Sequence, residues 1–210
     1  MSTKPVRAAP RRTMRKEEAV RHLIHAAIRS FAAAEDPFAI SMLIHSADKI
    51  LIDMSRKTGR PLMFRWDEFA KPERVKTIFT VLRETYNFLK HCAKDHDKEL
   101  SVYDITYFNA LTLGICTVNF NSLFDYWTDH MRLFHSFVSI AMPNGFVPSA
   151  NRAKFDSNHD VLRAMTPAEY FSDLWTDRFR AAFPNLLTER AEDLSDSAQF
   201  FTTKIFQLQK

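Results

Sequence analysis

From about residue 16 onward, apolar side chains recur at helical spacing. Val20, Leu23, Ile24, Ala27, Ile28 and Phe31 fall on one face at i, i+3, i+4 and i+7, which predicts a first amphipathic helix. The stretch "EDPF" then ends that helix and starts another, with Asp36 as N-cap and Pro37 in the first turn. In this second helix, running to about Lys57, Leu43, Ala47, Ile50 and Met54 form one stripe, while Ile40, Ile44, Leu51 and Ile52 surround it. An element that is apolar on nearly all sides needs more than one neighbour to cover it. "TGRP" closes it with Gly59 and Pro61.

A third helix is expected from Pro72 to about Lys94, with Val75, Ile78, Phe79, Leu82, Tyr86, Leu89 and Ala93 on its inner face. "SVYD" at residues 101–104 reads as a variant capping box that opens a long apolar region reaching Met142, as one helix or as two broken near Asp125. Gly114 inside that region implies close packing against another helix. Residues 143–160 lose the period and carry turn formers. "TPAE" at 166–169 then starts a further helix, and a C-terminal amphipathic segment is expected around Phe200, Phe201, Ile205 and Leu208. The fold class is therefore all-α: a bundle of five to seven helices. It divides into a disordered basic leader at 1–15, a bundle core at 16–142, and a long loop with a helical extension at 143–210.

Composition narrows this further. The chain has only three glycines, which argues against tight hairpins and against a glycine-rich phosphate loop. The formal charge is +4, yet the first sixteen residues alone carry six basic side chains and no acid. The remainder is left with a small negative balance, so the body is not a basic nucleic-acid binder by bulk electrostatics. Cys92 and Cys116 form neither a disulfide framework nor a metal clip. With no apolar signal core and no run long enough to span a bilayer, a cytoplasmic location and no membrane partner are expected.

The polar cluster of greatest interest lies in "RETYNFLKH" on the third helix. On a wheel centred at Leu82, Glu84, Asn87 and His91 sit at about 200°, 140° and 180°, away from the core. A histidine there titrates near neutrality, and Arg83 or Lys90 can hold an anionic oxygen. An imidazole with a guanidinium suffices in principle to cleave RNA without metal, the first taking the 2′-hydroxyl proton and the second stabilising charge on phosphorus. Ordinary solvation produces such a face too.

A late helix carrying an arginine, then an asparagine, then "KH" resembles the HEPN superfamily. That resemblance implies an up-and-down bundle of four or five helices that forms a homodimer and engages a protein or RNA partner. Its leading functional implication is an interaction module; its alternative is a metal-independent endoribonuclease with its site at a dimer groove. On that alternative Arg83 and His91 correspond to the family's arginine and histidine, Asn87 accompanies them, and Glu84 is a proton partner. Seven residues separate Arg83 from His91, against four to six in the family, which sets them about 12 Å apart along the axis. A composite site with a second copy would bring the two types together. Arg152 and His159 have the family spacing but lie in the long loop.

No cofactor and no metal are expected. His22 with His25, His45 with Asp48, and His130 with His135 are spaced pairs, but neither HExxH nor ExxH occurs. His45 and Asp48 stand out because they sit on the most apolar helix, where a polar group must find a partner. His91 and Cys92 diverge by about 100° on a helix, so the imidazole does not activate that thiol. The aromatic residues from Tyr103 to Phe137 read as bundle packing.

Overall fold

The computed structural model describes residues 13–65, 72–90, 97, 99–101, 105–142, 166 and 169, and the statements below concern these. Five α-helices are present among them and no strand: α1 Lys16–Ala32, α2 Pro37–Thr58, α3 Pro72–Lys90, α4 Ile105–Phe124 and α5 Asp129–Ala141. The all-α bundle expected from the hydrophobic pattern is the fold observed.

The helix boundaries have local chemical causes. Asp36 Oδ1 accepts from the backbone N–H groups of Phe38 (2.7 Å) and Ala39 (3.1 Å), so two donors that α2 would leave unsatisfied are capped. Gly59 ends α2 at φ 72°, a left-handed conformation in which a Cβ would be strained. The long apolar region is two helices, since Asp125 takes φ 62° and the Thr128 side chain caps the start of α5. Thr166 and Glu169 cap each other reciprocally: Thr166 N–H donates to Glu169 Oε2 at 2.7 Å, and Glu169 N–H to Thr166 Oγ1 at 3.3 Å. The leader, residues 91–96 at the expected end of the third helix, and most of the C-terminal extension lie outside the described residues.

Cross-helix contacts give the topology. Asn109 and Cys116 on α4 reach Pro37 and Ile44 on α2, so positions rise together and these two helices run parallel. His25 meets His130 while Phe31 meets Phe134 and Phe137, which sets α5 parallel to α1. Arg83 meets Asp48 whereas Tyr86 meets His45, which makes α3 antiparallel to α2. The result is an up-and-down arrangement. Helices α1, α2, α4 and α5 enclose one core of Val20, Ile24, Ile44, Leu51, Leu113, Phe120, Met131 and Phe134, all fully buried. Helix α2 is covered by α1, α4 and α3, which accounts for its apolar sides.

Helix α3 is the outlier. Among the described residues its main neighbour is α2. Val75, Phe79 and Tyr86 are half-buried as the inner face requires, but Leu89, expected on that face, is 40% exposed.

Candidate functional site

A cleft of about 310 Å³ opens between α2, α3 and α4. Asp48, Ile52, Ser55 and Arg56 of α2 form one wall and Phe79 and Arg83 of α3 the other. Ile115 and Asn119 of α4 lie beneath, and Leu62, Phe64 and Arg65 of the segment following α2 close one end.

That closing segment is strapped to α4 by specific bonds. The Asn119 carboxamide accepts from Phe64 N–H (2.9 Å) and donates to Phe64 C=O (3.1 Å), matching both backbone groups at once. Ser122 Oγ donates to Pro61 C=O at 2.7 Å, and Arg60 pairs with Asp125 at 2.9 Å while also donating to the Leu123 carbonyl. Asn119 is 1% exposed, so its two bonds form in a dry setting where unmade bonds are expensive.

At the centre of the cleft Asp48 faces Arg83 at 3.4 Å, with side-chain exposures of 15% and 35%. Burial pushes the Asp48 carboxyl above its ordinary value, and the Arg83 and Lys49 charges only partly offset that. Beneath it, Cys116 is fully buried; burial, and next the Asp48 charge, raise its thiol well above the ordinary value. It is therefore a neutral packing residue, not a nucleophile. Lys49 turns outward to Asp53 at 2.6 Å. The Arg83 guanidinium also lies over the Phe79 ring, 5.0 Å from its centre.

The residues singled out in the sequence are divided by this geometry. Glu84 and Asn87 are exposed on the outer side of α3, as the wheel predicts. Arg83, a half-buried residue on the flank of that helix, enters the cleft and engages Asp48. His91 lies outside the described residues, as do Cys92, Arg152 and His159. The His45 and Asp48 pairing suggested by spacing resolves into two different neighbours, Tyr86 for His45 (ring centres 5.5 Å apart) and Arg83 for Asp48. Sequence reasoning did not find Arg56, Arg65 or Asn119, because each joins the cleft only once the strap and three helices are assembled.

Two further described histidines meet where α1 packs on α5. His25 is fully buried, sits 2.7 Å from Thr128 Oγ1 through Nε2, and stacks on His130 with ring centres 4.5 Å apart. His135 packs edge-on against Trp127 at 4.6 Å, and burial lowers its pKa to about 4. Among the described residues no three His, Cys, Asp or Glu side chains gather as a metal site, and no helix is long and apolar enough to cross a membrane.

No protein-family model, no curated protein and no solved structure matches the chain.

Proposed function

We propose that this chain is a HEPN-like helical interaction module of the cytoplasm that works as a homodimer through the outer face of α3. The observation that carries this reading is the position of α3, which among the described residues packs chiefly on α2 and leaves Val81 (44% exposed), Glu84 and Asn87 on its outer side, with Leu89 (40% exposed) uncovered further round the helix. Aliphatic side chains left exposed beside polar ones on one helix are what a symmetric helix pair uses: the same patch on both copies, apolar at its middle and polar at its rim. Sedimentation equilibrium of the full chain tests it. A dimer is expected, converted to monomer by Val81→Glu with Leu89→Glu. A wild-type monomer throughout the accessible concentration range would remove the proposal.

The endoribonuclease alternative, with Arg83, Glu84, Asn87 and His91 in one groove, draws support from the outward placement of Glu84 and Asn87. The engagement of Arg83 by Asp48 weighs against it, since a catalytic guanidinium has to be free to meet phosphate. RNA degradation that persists in chelator and is abolished by His91→Ala would restore this alternative; no degradation by the wild type leaves the interaction module.

A further inference from the structure

The cleft between α2, α3 and α4 has a chemistry of its own, separate from the outer face of α3. Its apolar lining comes from Ile52, Leu62, Phe64, Phe79 and Ile115, and its volume of about 310 Å³ is that of a small-molecule site. Three arginines line it, Arg56 on α2, Arg65 on the strap and Arg83 on α3, and of these Arg83 is paired with the Asp48 carboxylate. At 3.4 Å the Arg83–Asp48 contact is looser than the 2.7–2.9 Å typical of a charge-assisted hydrogen bond. Arg56 is exposed and belongs to the lining.

We infer that the cleft binds a small organic carboxylate with an apolar body, whose head group replaces the Asp48 carboxylate as the partner of Arg83 while Asp48 takes up one proton from solvent. The exchange conserves charge. One carboxylate arrives, one is neutralised, and the guanidinium remains paired throughout. Its apolar body covers Phe79 and Ile115, and Arg56 supplies the second cation. Arg83 suits the role because its planar fork accepts a carboxylate in two-point fashion. Asp48 suits its role because burial already favours the neutral acid. The charges that act on Asp48 are Lys49 on its own helix and Arg83 on α3; Arg56 and Arg65 line the same cleft, buried His45 lies one turn away on α2, and the Cys116 thiol lies on α4. Cys116 stays protonated. Asp48 is thus the group that changes.

Calorimetric titration of the full chain with 2-naphthoate tests this, with 2-naphthamide as the uncharged isostere. The wild type is expected to bind naphthoate and not the amide. Its affinity should rise up to about tenfold for each unit of falling pH while Asp48 is ionised in the free protein, with one proton absorbed per ligand in buffers of different ionisation enthalpy. Asp48→Asn should bind more tightly at pH 7 and lose the pH dependence. Arg56→Gln, a surface change that leaves the fold intact, should weaken binding several-fold, and Arg83→Gln at least tenfold. No saturable binding to either the wild type or Asp48→Asn would overturn the inference. So would equal affinity for the amide, an affinity that ignores pH, or one that Arg56→Gln and Arg83→Gln both leave unchanged.

Discussion

Replacing Arg83 by methionine keeps most of the aliphatic stem and removes the charge, which leaves Asp48 facing an apolar side chain in a site 15% exposed. Two unit charges 3.4 Å apart attract by about 5 kcal/mol at an effective dielectric of about 20, an upper bound. Arg83 is about one-third exposed, so solvent screens part of this. The expected loss at pH 7 is therefore about 1.5–2.5 kcal/mol, below the 3–5 seen when a fully buried pair is broken. The sign of the pH dependence follows from Asp48, whose folded-state pKa is raised. Its contribution to stability is complete below the unfolded value of 3.8 and is lost as pH rises through the folded value. Removing Arg83 raises that folded value further. Wild type and variant then differ most at pH 7 and least in acid, where the carboxyl is neutral in both and only the contact with Phe79, worth under about 1 kcal/mol, remains. Urea unfolding at pH 7 and near pH 4 measures this, and Asp48→Asn combined with Arg83→Met should recover most of the loss at pH 7. A loss of the same size at both pH values would refute the reasoning, because it would place the effect in packing and not in the charge pair.

Other expectations follow from single sites. His135, with its pKa lowered to about 4 from an ordinary 6.5, binds a proton in the unfolded chain before the folded one, so stability should fall as pH drops from about 6.5 toward 4. The ceiling is about 3 kcal/mol, and melts of His135→Gln across that window should show a shallower decline. Asn119→Ala strands the Phe64 N–H and C=O and should cost about 1–3 kcal/mol, with new proteolytic cleavage near residues 60–65 as the local readout. Ala34 holds φ 52°, so Ala34→Gly should relieve strain and raise the melting temperature, a gain of about 0.5–1 kcal/mol.

Much of this fold was legible in the chain because its local signals agree with its tertiary needs. Asp36 with Pro37, Gly59, and Thr166 with Glu169 are short-range devices, and each marks its boundary where the sequence places it. The all-round apolar character of α2 likewise announced more than one neighbour, and α1, α3 and α4 all pack on it. Whether the region from 105 to 142 breaks was not legible, because Asp125 at φ 62° is one residue in a left-handed well that no periodicity reports. At the candidate site, the wheel placed Glu84 and Asn87 outward correctly, since exposure depends on angle alone. It could not place Arg83, whose position at the edge of the apolar arc lets it reach the cleft, where a buried carboxylate on another helix draws it inward. The strap was invisible for a related reason. Asn119 looks like an ordinary polar residue on an apolar helix until Phe64, 55 positions away, supplies its two partners.

The proposal that α3 is the face shared by two copies is tested most directly by distance. A spin label at position 87, introduced by Asn87→Cys in a Cys92→Ser background, sits on the exposed side of α3 while Cys116 stays buried and unlabelled. Helices packed at about 10 Å place two such labels, with their tethers, within about 25 Å of one another. Pulsed dipolar spectroscopy should give one narrow distribution at or below that distance, lost on Val81→Glu with Leu89→Glu. A featureless decay from the wild-type face, or a distance beyond about 40 Å that those substitutions leave unchanged, would contradict the account, since two α3 helices in contact do not hold their labels that far apart.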